Sequence, residues 1–401
     1  MNISSINGIE TKNIQRINKI YTSQIKSVCG AEISMKPFKT LWSVGAGQSI
    51  TLPLVNGYSY DFFIDWGDGI SNYINSYDSA NRTHTYSNVG EYIISIKGIC
   101  EGWNFQTVST SKLLITKVLG FGEVEFKNLS FYNCNNLNEI RGQINGPSIT
   151  NFTNCFNNNS LTLIPIGLFN NCTKVTDFGH CFRNNQLTSI PEHLFDNCTQ
   201  VTSFYSCFGN NQLTSIPENL FDKCVLVTNF SHCFGNNQLT SIPENLFDKC
   251  VLVTNFSYCF YINNLTSIPE NLFENNTLVT NFSYCFANNQ LTSIPISLFD
   301  NNTLVESFDW CFYYNNNLKL NKYIFYSEGQ QSTRFLNQSV NFQNCFSRDS
   351  YVSPDAENGE APDLWNCDFG TGTPTKTGCF RGNGNNAITL TNYTSIPSEW
   401  K

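Results

Sequence analysis

Apolar residues along the middle of the chain return on a 26-residue step. The segments LTLIPIGLF, LTSIPEHLF, LTSIPENLF (three times) and LTSIPISLF start at Leu161, Leu187, Leu213, Leu239, Leu265 and Leu291. Between them run VTDFGHCF, VTSFYSCF, VTNFSHCF, VTNFSYCF (twice) and VESFDWCF. A period of about 20–50 residues marks stacked repeats. One unit cannot bury its Leu, Ile, Val and Phe alone; stacked neighbours bury them together. Each unit divides into two arms. Residues 239–242 have apolar ends and β-branched residues, which predicts a short strand. Pro243 then opens a helical turn with Glu244 in it, where an acid suits the helix dipole. Leu246, Phe247 and Cys250 are its expected buried side. The second arm repeats the plan with Val253, Phe256, Cys259 and Phe260. Paired asparagines (Asn184/Asn185, Asn210/Asn211, Asn236/Asn237) close each unit, placed to bond along the stack and to satisfy turn backbone.

The pattern loosens outside this core. Cys345-Phe346 and Cys379-Phe380 each follow the previous such pair by 34 residues, so these units carry insertions of 8. NYTSIPSEWK at the end reads as a half-unit and polar cap, and residues 115–140 as a degenerate first rung. Nine or ten rungs at strand spacing make a rod of roughly 45 Å. Residues 37–100 read differently: FIDWGDG (63–69), RTHTYSNVG (82–90) and EYIISIKG (91–98) alternate strands with glycine turns. Asp65 and Asp68 in that turn are candidates for calcium, though turn formation accounts for them. The first 36 residues hold a smaller repeat with an 11-residue step, placing Ile6, Ile17 and Val28, then Ile9, Ile20 and Ala31, then Ile14 and Ile25 in register. Five Lys or Arg against two Glu make this piece locally basic, at +3. It is too short to fold alone and must dock elsewhere.

The combination of LTSIP, LFxxC, VTxFxxCF and NNxLTSIP over 115–346 resembles the BspA-type leucine-rich-repeat proteins of bacterial surfaces and some phages. That resemblance implies adhesion or protein contact. Residues 37–104, with WGDG and HTY followed by strands, resemble a PKD-type immunoglobulin-like sandwich. INGI near the start, with a second copy reading INKI, resembles N-terminal segments of tailed-phage virion proteins, including those of crAss-like phages. Together these readings predict a mainly β chain with short helical turns. A small Ig-like β-sandwich would precede a leucine-rich-repeat-like solenoid of 26-residue units. The expected domains are an anchoring segment (1–36), the sandwich (37–104), the solenoid (105–346) and irregular rungs with a cap (347–401).

Composition narrows the function classes. Charged residues make up 13% of the chain and the net charge is -8, so a general nucleic-acid binder with a basic face is not expected. No apolar run is long enough for a membrane-spanning helix. The first residues lack the apolar stretch of a secretory signal peptide. Thirteen of the 17 cysteines fall on repeat positions. They read either as a disulfide framework or as a column of small buried thiols. Asn276 and Asn302 stand in the column of Cys172, Cys198, Cys224 and Cys250, which breaks obligatory pairing and favours thiols. The four histidines are scattered and no CxxC is present, so no metal and no cofactor is expected.

Carboxylates recur at Glu192, Glu218, Glu244 and Glu270, and at Asp196, Asp222, Asp248 and Asp300. Periodic columns are repeat features rather than an acid–base pair flanking one bond. No GxSxG, HExxH or P-loop is present, so the chain reads as non-enzymatic. The informative positions vary while the frame repeats. The residue before the second-arm Cys runs Asn154, His180, Ser206, His232, Tyr258, Tyr284, Trp310, Asn344. Tyr261, Tyr313 and Tyr314 gather beside the later rungs. These aromatics read as a packed subunit interface or as a stacking platform for a sugar or partner protein. Two functions follow. One is a tailed-phage virion component (head fibre, capsid decoration or tail-associated adhesin), assembled in the host cytoplasm. It would attach to other virion proteins through Ile6, Ile9, Ile14, Ile17, Ile20 and Ile25, as a homo-oligomer, in the first instance a trimer. The other is a bacterial cell-surface adhesin. Both contact a host-surface glycan or protein, and neither involves nucleic acid or a membrane.

Overall fold

The computed structural model describes residues 35–106, 111–296, 298–326, 333–348, 359–382 and 390–401, together with four two-residue strands before them. Those four form two hairpins: β1 (Ser5–Ile6) with β2 (Ile9–Glu10), and β3 (Ser27–Val28) with β4 (Ala31–Glu32). The hairpins are 22 residues apart, two steps of the 11-residue repeat. Ile6 and Ile9 pair directly across the first. Ile14, Ile17, Ile20 and Ile25 lie outside the described residues.

The next strands are β5 (Phe38–Val44), β6 (Ser49–Thr51), β7 (Tyr60–Asp65), β8 (Ser71–Ile74), β9 (Thr83–Thr85), β10 (Gly90–Cys100), β11 (Gly102–Asn104), β12 (Ile115–Gly120), β13 (Asn128–Ser130) and β14 (Glu139–Ile140). Strict alternation on β5 buries Phe38, Thr40, Trp42 and Val44 on one face, the period-two signature of a half-buried strand. A six-stranded sheet runs in the order β14-β12-β5-β10-β7-β8, and β6 pairs with β9 in a second, two-stranded sheet. Trp42, Ile50, Ile64, Trp66 and Tyr86, on or beside strands of both sheets, are fully buried. The WGDG turn is built from its own carboxylates. Asp65 Oδ1 accepts from the Gly67 N–H at 2.9 Å, Asp68 Oδ1 accepts from Ile70 N–H, and His84 Nε2 sits 2.7 Å from Asp68 Oδ2. Gly67 has φ +83° with the Ile93 backbone where a Cβ would point, so only glycine fits there.

The large sheet does not stop where the repeats begin. β12 of the first rung pairs antiparallel onto β5, β14 pairs in parallel with β12, and β11 pairs in parallel with β13. This seats Trp103 and Phe105 at the head of a phenylalanine column. Phe105 contacts Phe131, Phe131 stacks on Phe156, and successive rings from Phe156 to Phe312 lie 5.4–5.9 Å apart. Trp400 closes the far end against Phe380 and Phe342.

Within a rung the arms differ from the expected pattern. Residues 239–242 form no strand. Parallel bridges instead run down the second arm, Asn151 to Asp177, Ser203, Asn229, Asn255, Asn281, Ser307, Asn341 and Thr375. The expected helical turn is a run of single turns; Asp248 N–H bonds Asn245 C=O and Cys250 N–H bonds Phe247 C=O. The reason lies in the spacing of buried residues. Leu239, Ile242, Cys250, Val253, Phe256, Cys259 and Phe260 point inward at roughly three-residue intervals around the whole coil. A strand needs period two and a helix 3.6, so neither fits. The described part of the chain is thus mostly β, with stacked repeats and a few short 3-10 turns.

The side chains of two columns hold the stack together. Asn237 donates from Nδ2 to Phe208 C=O and Phe234 C=O, both at 3.0 Å, while its Oδ1 accepts from Leu213 N–H. Asn185, Asn211, Asn263, Asn289 and Asn315 repeat this. Their neighbours Asn184, Asn210 and Asn236 bond one another side chain to side chain instead. In the other column the Cys198, Cys224 and Cys250 thiols point at the carbonyl of the Cys one rung earlier. Asn276 and Asn302 keep that contact with an amide at 2.9 Å, and Arg334 ends the column by donating to Phe299 C=O and Asn302 C=O.

Candidate functional site: an aromatic edge on the stacked rungs

The slot before the second-arm Cys has a backbone property the side chains alone do not announce. Asn154, His180, Ser206, His232, Tyr258, Tyr284, Trp310 and Asn344 all have φ between 52° and 59°, and Gly378 takes the same place on the next rung. An Asx-type turn precedes the slot; Asn255 Oδ1 accepts from Ser257 N–H, and Asn281 Oδ1 from Ser283 N–H. The left-handed conformation costs a residue with a Cβ about 1–2 kcal/mol and suits Asn and Gly. The mixture of Asn, Ser and Gly in one column is the sequence signal for it.

Four of these slots carry stacked rings. His232 lies 4.3 Å from Tyr258, Tyr258 4.4 Å from Tyr284, and Tyr284 5.6 Å from Trp310, with planes within 8° of parallel. Tyr261 stands perpendicular to Tyr258 and Tyr284, and Tyr313 perpendicular to Trp310 at 4.3 Å. Tyr314 contacts Tyr313 and is 39% exposed; the other five are partly buried. So the six tyrosines and tryptophans singled out from the sequence form one continuous cluster. Because the rings stack on one another along the rod, their faces are covered, and what remains open is a row of ring edges. A sugar ring requires a free face, which Tyr258 and Tyr284 do not offer.

The electrostatics of the edge are uneven. Burial pushes the His180 and His232 pKa down, with the nearby Arg183 charge adding to it, so both imidazoles favour their neutral form. Burial pushes the Tyr284 hydroxyl up to about 12. On the Trp310 rung the preceding residue is Asp309, which sequence reasoning passed over. Burial raises its carboxyl to about 6, and its Oδ1 is buried with no hydrogen-bond partner. Elsewhere Glu218 and Glu244, successive members of one column, line a shallow groove between rungs. No cluster of His, Cys, Asp or Glu able to hold a metal occurs among the described residues. The 16 described cysteines are all buried and unpaired, with burial raising their thiols, Cys198 and Cys250 to about 12.

A stack of parallel rungs with an Asn column and LTSIP corners defines a leucine-rich-repeat protein. Six copies of the BspA type leucine rich repeat region match residues 122–226, 162–304 and 236–352, together more than half of the chain. The chain belongs to the BspA-type leucine-rich-repeat family. The repeat region of this family is non-catalytic. No curated protein matches it. Among solved structures it is similar to a chain of the Drosophila Toll–Spatzle complex, at 15% identity over 62% of this chain and 40% of that one, with a TM-score of 0.25. It is also similar to a chain of the TLR13–ssRNA13 complex, at 11% identity over 69% and 45%, with a TM-score of 0.31. The chain spans less than half the length of either.

Proposed function

We propose that the chain is a surface adhesin whose repeats form a rigid solenoid that holds the aromatic edge against a protein partner. One observation carries this reading. The slot accepts Asn, Ser and Gly on other rungs, at less conformational cost, yet four successive rungs place His, Tyr, Tyr and Trp there. Strain held at a surface position, together with aromatic area, points to contact. Rigid tyrosine and tryptophan edges suit a protein surface, where such residues form hot spots. Residues 37–104 act as an Ig-like spacer in this arrangement. The test replaces Tyr258, Tyr284 and Trp310 with residues the column already uses, Asn, Ser and Asn. The expected variant melts as the parent does and loses affinity by about 1–3 kcal/mol for whichever immobilised host-surface protein the parent binds. Unchanged affinity overturns the reading; loss only on a glycan array transfers it to sugars.

The INGI resemblance favours a second reading, a homo-oligomeric tailed-phage virion component that attaches to other virion proteins through residues 1–36. Deleting 1–36 should then leave a cooperatively folding chain that no longer joins its particle.

A further inference from the structure

We propose that the rung from Ser307 to Tyr314 is a seat for a cationic side chain of the partner protein, arginine in the first instance, with Asp309 as its counter-ion. The proposal rests on the aromatic-edge reading and names the chemistry of what that edge meets. Asp309 is the only charged residue in its column, which otherwise holds Thr153, Gly179, Tyr205, Ser231, Ser257, Ser283 and Gln343. A serine there satisfies the fold on three rungs, so nothing in the frame asks for a carboxylate. No lysine, arginine or histidine pairs with it among the described residues. Among the described residues the ionisable groups that feel its charge are Tyr258, Tyr284 and Cys345, none of them a cation. A partly buried carboxyl with a buried, unpartnered oxygen is costly, and an incoming hydrogen-bonding cation removes that cost.

The surroundings select the cation. Asp309 C=O accepts the N–H of Tyr284, so the carboxyl sits at the Tyr284–Trp310 end of the ring column. The same rung adds Tyr313 and Tyr314 to Trp310. A guanidinium pairs with a carboxylate through a planar two-donor fork, which an ammonium cannot match. The chain's net charge of -8 draws a basic partner segment toward this surface.

The probe is a fluorescein-labelled octa-arginine peptide followed by anisotropy in physiological salt, with octa-lysine and octa-glutamate alongside. The parent should bind octa-arginine best and octa-glutamate not at all. Asp309→Asn and Asp309→Ser should each weaken octa-arginine binding by about tenfold or more, since the seat loses its counter-ion. Glu244→Gln, an exposed carboxylate in a remote column, should leave it unchanged. Affinity should also fall as pH drops through about 6, where Asp309 takes up its proton. Equal binding by the parent and both Asp309 variants, or an equal loss in Glu244→Gln, overturns the seat. The aromatic-edge reading is tested separately by the Tyr258, Tyr284 and Trp310 replacements, which leave Asp309 in place. If those abolish host-protein binding while Asp309→Ser keeps octa-arginine binding intact, the edge stands and the seat falls.

Discussion

A single asparagine per rung shows how much of this fold depends on individual residues. Asn237 serves four backbone groups on two rungs: Phe208, Phe234 and Gly235 carbonyls and the Leu213 N–H. Its side chain is 7% exposed, so water cannot take over these bonds. Truncation orphans the buried Leu213 N–H, worth about 1–3 kcal/mol, and also removes bonds to carbonyls that keep a second partner, Asn211 for Phe208 and Asn263 for Phe234. Asn237→Ala should therefore cost about 3 kcal/mol in urea unfolding, and a loss below about 1 kcal/mol would show that the column is ornamental. Asn236, by contrast, bonds mainly its own column partners at the exposed edge, and its loss should be small. Two adjacent asparagines, alike in sequence, thus have different duties, and the difference follows from which one holds the left-handed turn (Asn236, φ 58°) and which points inward.

At the level of columns, the exchange of cysteine for asparagine along the stack has a physical basis. Both side chains reach a carbonyl one rung earlier, the thiol weakly at 3.7 Å from Cys250 and the amide firmly at 2.9 Å from Asn276. Cys250→Asn should accordingly fold with stability within about 1 kcal/mol of the parent, because two later rungs already use the amide. The other cysteine column, Cys233, Cys259, Cys285 and Cys311, is fully buried among phenylalanine rings and contains no asparagine. An amide at Cys259 meets apolar rings and should cost several times more, about 2–4 kcal/mol. Thermal melts of the two variants side by side decide this; equal losses would mean that the carbonyl contact is irrelevant.

Over the whole molecule, stability comes from closing both ends of an otherwise open stack. The sheet built on β5 covers the first rung, and Trp400 covers the last, so neither end leaves its phenylalanine rings to water. No covalent staple contributes among the described residues. Unfolding in denaturant without reductant should therefore expose nearly all 17 thiols to alkylation, while the folded chain resists the reagent because burial keeps the thiols protonated. Labelling of fewer than half on unfolding would reveal a disulfide scaffold instead.

The period, the number of rungs, the buried columns and the family were all legible in the residues, because stacked repeats carry the same chemistry at a constant step and each rung meets only its neighbours. The aromatic cluster was legible for the same reason: one slot on successive rungs must be adjacent in space. Three things needed the tertiary structure. The location of the parallel bridges, mostly in the second arm and in the first only late in the stack at Ser293–Lys319 and Leu320–Gly359 among the described residues, depends on how a three-residue inward spacing turns the chain, which composition does not reveal. The orientation of the rings, face to face along the rod and open only at their edges, depends on a left-handed backbone shared by Tyr258, Tyr284 and Trp310. The isolation of Asp309 depends on which groups lie across from it on other rungs, and a carboxylate without a partner looks in the sequence like any other.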